Sequence, residues 1–68
     1  MAMKTKVEQA WIRPRLNGTS FEVIVRIDMA KGTFIESVHA DHDDAQARVK
    51  YLLQPNTLIE VHSLTRSF

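Results

Sequence analysis

Sixty-eight residues without a cysteine, 44% hydrophobic and 25% charged with a formal net charge of +1, make room for one small domain over positions 1–68. The same figures exclude a disulfide framework and a thiolate metal centre, and the near-neutral balance is not that of a protein built around nucleic acid. No apolar run approaches the ~20 residues a bilayer span requires, and no leader-like stretch is present, so a cytoplasmic location and no membrane contact are expected.

The start, Met1-Ala2-Met3 with Lys4, reads as an addition or a disordered end outside the fold. From Val7 to Leu16 the pattern predicts a strand, and Asn17-Gly18 predicts a two-residue type I′ turn, the dipeptide that meets φ > 0 at both central positions most cheaply. Such a turn sets a register in which Pro14 faces Phe21, Ile12 faces Val23 and Ala10 faces Val25, apolar against apolar. On the opposite face Arg13 meets Glu22, Trp11 meets Ile24 and Gln9 meets Arg26. A slip of one residue would set one strand's apolar positions against the other's polar ones, so the pattern itself favours this pairing. Pro14 has no N–H for a ladder and places this strand at a sheet edge.

Phe21 to Asp28 alternates Phe21, Val23, Val25 and Ile27 at period two, a strand with one buried face. Met29-Ala30-Lys31-Gly32 reads as the next turn and Thr33 to Ala40 as a third strand. The preferred register aligns Phe34 with Ile27 and Val38 with Val23, and it carries Glu36 inward with them; a shift of one residue would put Ile35, Ser37 and His39 inward instead. Asp41 to Gln54 is the expected helix: Asp41 serves as N-cap, Asp43 and Asp44 favour the N-terminal dipole, and Ala45, Val49, Leu52 and Leu53 form the apolar stripe. Pro55 ends it. Leu58 to Leu64 completes the chain as a last strand with Ile59 and Val61 inward. The order β-β-β-α-β defines an α+β domain of two layers, an antiparallel sheet with one helix packed on one face.

Several segments bear on function. His39-Ala40-Asp41-His42-Asp43-Asp44 gathers two histidines and three carboxylates, a donor set for a divalent ion with His62 as a further ligand. Its H-x-D-H portion is similar to part of the histidine-rich motif of metallo-β-lactamases, but the preceding histidine of that motif is missing. The competing reading, carboxylates capping a helix start, is preferred, and no metal is expected. The serines lack a nucleophile-elbow context, and no glycine-rich phosphate cradle exists. No enzymatic activity and no cofactor are therefore expected.

The sheet face left bare by the helix is more telling. Trp11, Arg13, Arg15, Ile24 and Arg26 fall together there, with Gln9 and Glu22, and these five are the expected partner-binding residues. Tryptophan and arginine dominate interface hot spots because each brings a large contact area with directed bonding. The same face could join two copies as a homodimer. It also has the residue types that small β-sheet DNA readers, such as the plant AP2 type and the arm-binding domains of phage integrases, insert into the major groove. Glu22 at its centre and the near-zero net charge speak against that use.

The stretch Phe21 to Thr65 resembles a loose class of very small phage-encoded proteins that disable host machinery. The outline is carried by Ser20-Phe21-Glu22-Val23, by Val38-His39-Ala40-Asp41, by an acid-started helix holding Asp44-Ala45 and Tyr51, and by Ile59-Glu60-Val61. The inhibitor that T7-type phages direct at host RNA polymerase and several anti-CRISPR proteins share this plan. The resemblance implies a stoichiometric inhibitor that occupies a surface of a bacterial nucleic-acid-processing complex, a CRISPR effector foremost. The added strand from Val7 to Leu16 and the absence of net acidity set this chain apart, and no functional residue of those proteins maps onto it.

Overall fold

The structure, a computed structural model, describes residues 3–28 and 31–66. Five strands, β1 (Lys4–Pro14), β2 (Phe21–Ile27), β3 (Phe34–His39), β4 (Leu58–Glu60) and β5 (Thr65–Arg66), form one antiparallel sheet in the order β4-β1-β2-β3-β5. The helix α1 (His42–Leu52) follows β3, and a 3-10 turn (Val61–Ser63) joins β4 to β5. The α+β class and the β-β-β-α-β plan follow the sequence reading, with the last strand divided in two.

That division shapes the sheet. β4 and β5 lie at opposite edges, yet only four residues separate them. Three are in 3-10 conformation, so the link reaches roughly 13 Å at ~2 Å per 3-10 residue and ~3.3 Å per extended one. The edges of a flat five-stranded sheet stand roughly 19 Å apart at ~4.8 Å per strand. The sheet must curl until its edges approach. The order β4-β1-β2-β3 is a Greek key, and β5 extends it to a five-stranded, partly open barrel.

The β1–β2 register is the expected one, with Pro14 opposite Phe21, Ile12 opposite Val23 and Trp11 opposite Ile24. The turn is different. Only Gly18 has positive φ (74°), and Asn17 does not. The Gly18 N–H donates to the Arg15 carbonyl and the Arg15 N–H donates to the Ser20 carbonyl, each at 3.0 Å. The loop therefore holds four residues, Leu16 to Thr19, and closes on Arg15 and Ser20. Asn17 stabilises it through its side chain, whose Oδ1 accepts from the Thr19 N–H at 3.0 Å and the Ser20 hydroxyl at 3.3 Å.

Two bulges reset the alternation. In β1 the register shifts between Val7 and Gln9, leaving Glu8 as the extra residue. Thr5 and Val7 face the core before the bulge, and Ala10 and Ile12 after it. In β3 the shift falls opposite Val23 and Ile24, with Glu36 extra. The expected register for β3 is thereby corrected: Phe34 pairs with Val25 rather than Ile27, and Val38 pairs with Glu22 on the outer face, 45% exposed. Ser37 and His39 take the inward phase opposite Val23 and Phe21.

The start is corrected as well. Lys4 belongs to β1, paired with Glu60, and the Met3 carbonyl accepts from the Val61 N–H at 2.8 Å. β1 is a sheet edge only along its Pro14 half, because β4 covers Lys4 to Lys6. Met1, Ala2 and the Met29-Ala30 half of the second turn lie outside the described residues.

The helix begins as its sequence dictates. Asp41 is extended, and its side chain accepts from the Asp43 N–H at 3.2 Å, with Asp43 and Asp44 in the first turn. Ala45 and Leu52 are fully buried and Val49 packs on the same core, but Leu53 is 47% exposed, outside the stripe assigned to it. Beyond the helix, buried Thr57 donates its hydroxyl at 2.8 Å to the Tyr51 carbonyl, which also accepts from the Gln54 N–H at 3.2 Å, so this C-terminal acceptor is doubly satisfied. The core is Val7, Val23, Val25, Ile27, Ala45, Leu52 and Ile59, walled by the concave side of the sheet and plugged by α1.

Candidate functional site

The convex face carries three rows of cross-strand neighbours. Trp11, Ile24, Ile35 and Thr65 form the central row across β1, β2, β3 and β5. Arg13, Glu22 and Val38 form the row nearer the hairpin, and Gln9 with Arg26 the row on the other side. Trp11, Arg13, Arg15 and Arg26 thus share the face expected of them.

Ile24 does not present itself to a partner. Only 1% of it is exposed, although it lies outside the main core cluster, so it is shielded on the convex side between its cross-strand neighbours Trp11 and Ile35. Its assignment as a contact residue is corrected to one beneath the contact surface, supporting the half-exposed Trp11 ring. Ile24→Ala is expected to lower stability by about 2–5 kcal/mol, the usual cost of a buried isoleucine truncation. Urea unfolding followed by the fluorescence of Trp11, the chain's one tryptophan, measures this. A cost near zero would mean that the convex side is open to water at Ile24.

The second row is held by charge. Glu22 is buried, and Arg13 donates to its Oε1 from Nε at 3.0 Å and from Nη2 at 2.8 Å. Arg15 approaches the other oxygen, Nε to Oε2 3.9 Å. Two guanidinium groups around one carboxylate leave a net positive charge at the hairpin base. A cleft of about 450 Å³ opens there, lined by Arg13, Pro14, Arg15, Leu16, Asn17 and Glu22. Leu16 at its rim is fully exposed. The sequence reading missed Pro14, Leu16 and Asn17 as cleft residues and Ile35 and Val38 as outer-face residues; an inward Glu36 was the available sign that β3 changes phase.

The histidine-rich segment is dispersed by the fold. The His39 ring nitrogen lies 2.8 Å from the Ser37 hydroxyl, the His42 ring meets Phe21 edge-on at 5.4 Å between centroids, and Asp41 caps α1. His62 is beside Glu60 at 3.3 Å. Among the described residues no group of three or more histidine and acidic side chains could hold a metal ion. Ser37 and His39 are a hydroxyl–imidazole pair of the kind nucleophilic catalysis uses, but the cleft is lined by other residues. No helix among the described residues is long and apolar enough to cross a membrane.

No family model, no curated protein and no solved structure matches the chain.

Proposed function

We propose that this protein is a non-catalytic inhibitor of the phage type, which docks the convex face of β1, β2 and β3 on a bacterial nucleic-acid-processing complex, a CRISPR effector foremost. The observation that carries the reading is the arrangement around Trp11: a half-exposed indole backed by a buried isoleucine, beside a cleft rimmed by Arg13, Arg15 and exposed Leu16. A rigidly supported aromatic anchor with arginines at its margin is the composition of an interface centre. The inhibitor would work by occupancy, so its effect should saturate at one copy per site on the target.

The test is inhibition of target-DNA cleavage by a purified CRISPR effector. Trp11→Ala combined with Arg26→Glu is expected to abolish inhibition, and a circular-dichroism spectrum matching the parent's verifies that the fold persists without the ring that covers Ile24. Arg13 is unsuitable for charge reversal because it holds the buried Glu22. Full inhibition by the double variant would show that another surface is used.

A second reading, direct binding of single-stranded nucleic acid, is favoured by one observation, the strand order. The order β4-β1-β2-β3-β5 with its helix between β3 and β4 is the strand order of the OB-fold, whose ligands lie across the β2–β3 face, but here β3 and β5 run antiparallel where the OB-fold pairs them in parallel. That support is architectural analogy. A labelled oligonucleotide titrated at ~50 and ~200 mM salt separates the readings, because phosphate-driven binding weakens steeply over that range, and absence of oligonucleotide binding even at ~50 mM removes the nucleic-acid reading.

A further inference from the structure

The Pro14 half of β1 has one side without a strand. In an antiparallel ladder, main-chain groups bond across at alternate residues and point away at those between. The 3.0 Å bond from the Arg15 N–H to Ser20 sets the parity. With the observed register, Arg13, Trp11 and Gln9 turn their main-chain groups toward β2, and Pro14, Ile12 and Ala10 turn theirs away. β4 occupies that outer side only from Lys4 to Lys6. The N–H and C=O groups of Ala10 and Ile12 and the Pro14 carbonyl therefore face no strand among the described residues. The missing N–H of Pro14 takes nothing from the β1–β2 ladder. The free sides of β4 and β5, with three and two residues, are much shorter templates, and the half of β3 that β5 leaves uncovered begins at its bulge, Glu36.

We infer that this edge receives an extended acidic segment of the partner protein as an added antiparallel strand, with acidic and apolar residues alternating along it. The inference rests on the protein-binding reading above and specifies the partner's chemistry. Strand addition draws its affinity from main-chain hydrogen bonds and its selectivity from alternate side chains. On the convex side those side chains would lie beside Trp11, Arg13 and Arg15, where carboxylates complement the guanidinium groups, both about two-fifths exposed. On the concave side they would lie beside half-buried Ala10 and Ile12, which apolar residues would cover. A second copy pairing through the same edge would bring further cations, since β1 and its extension carry Lys4, Lys6, Arg13 and Arg15 against Glu8.

Amide hydrogen exchange on the intact chain tests this, with an octapeptide alternating glutamate and valine as probe. In the free protein the Ala10 and Ile12 amides should exchange faster than those of Trp11 and Arg13, and saturating peptide should slow the former pair roughly tenfold or more. A lysine–valine octapeptide, and the acidic peptide N-methylated along its bonding edge, should not. The proposal is overturned if Ala10 and Ile12 are already as protected as Trp11 in the free protein, or if the acidic peptide leaves them unchanged. Equal protection by the lysine peptide, or protection that follows protein concentration through dimer formation, overturns it too. Loss of inhibition in the Trp11→Ala, Arg26→Glu variant without any peptide protection would refute the added strand and leave the docking face standing. Protection of Ala10 and Ile12 with full inhibition by that variant would refute the docking face instead.

Discussion

Leu52→Ala is expected to destabilise the protein by about 2–5 kcal/mol, while Leu53→Ala, one residue on, should cost less than about 1 kcal/mol. Leu52 is completely buried between α1 and the concave sheet, among Val7, Val23, Val25, Ile27 and Ile59. Removing three of its carbons leaves a void that neighbours on β1 and β2, fixed by their ladder, can only partly fill. Leu53 is the C-cap residue, 47% exposed, and loses little on truncation. For a chain of this length the whole folding free energy is roughly 3–10 kcal/mol, so the first variant removes a large share of it. Its melting temperature should fall by about 10 °C or more. Equal losses at the two positions would mean that α1 is rotated from the orientation described.

The second large effect involves Glu36 and Arg48, which tie the bulge of β3 to α1. Arg48 donates from Nε to one oxygen of Glu36 at 2.9 Å and from Nη2 to the other, and its guanidinium lies over the Tyr51 ring, 5.0 Å from the centroid. Burial by itself pushes the Glu36 carboxyl up. Hydrogen bonds from Arg48 and Ser37, with the charges of Arg48 and His39, outweigh it and hold the group below its ordinary value. The same carboxylate raises the Arg48 guanidinium above its own. On acidification the unfolded chain takes up the Glu36 proton first, so the pair's contribution is complete above the ordinary carboxylate range and is lost as pH falls through the depressed value. Glu36→Gln should cost about 1.5–3 kcal/mol at neutral pH, nearer the lower figure because Arg48 keeps some water. At an acid pH below the depressed value the variant and the parent should approach each other, since protonated Glu36 and glutamine are then alike in charge. Urea midpoints at the two pH values settle the matter; a gap that stays constant would show that the pair contributes nothing through its charge.

The hairpin register was legible although its turn was not. Closing the loop on Leu16 and Thr19 or on Arg15 and Ser20 yields the same partners along β1 and β2, so the error in turn type did not propagate. The helix start was equally legible, because Asp41 acts on amides two residues away and needs nothing distant. What failed depends on contacts across the fold. A period-two template carries a single phase, and the bulges at Glu8 and Glu36 each change it midway. In β3 the sign was present, since a glutamate in the inward row needs a partner, and that partner is Arg48 on another element. The run from Leu58 to Leu64 has no glycine or proline to mark a break, yet it must leave one edge of the sheet and reach the other. Of the outer face, Trp11, Arg13, Arg15 and Arg26 followed from alternation alone. The burial of Ile24 did not, because it requires Ile35 to arrive opposite by way of the bulge.

The link between β4 and β5 also has a kinetic meaning. The hairpin of β1 and β2 joins neighbours in sequence and can form early, within microseconds. The partners of β1 on its other side, Leu58 to Glu60, lie more than fifty residues along the chain. Both margins of the sheet therefore wait for one late segment, and loop-closure entropy must be overcome before either margin contributes stability. High contact order of this kind places folding in the millisecond-to-second range, far slower than a helical bundle of the same length. Until that segment arrives, the early hairpin exposes Val23, Val25 and Ile27 together with two unpaired margins, and the chain is then at its most prone to associate with others.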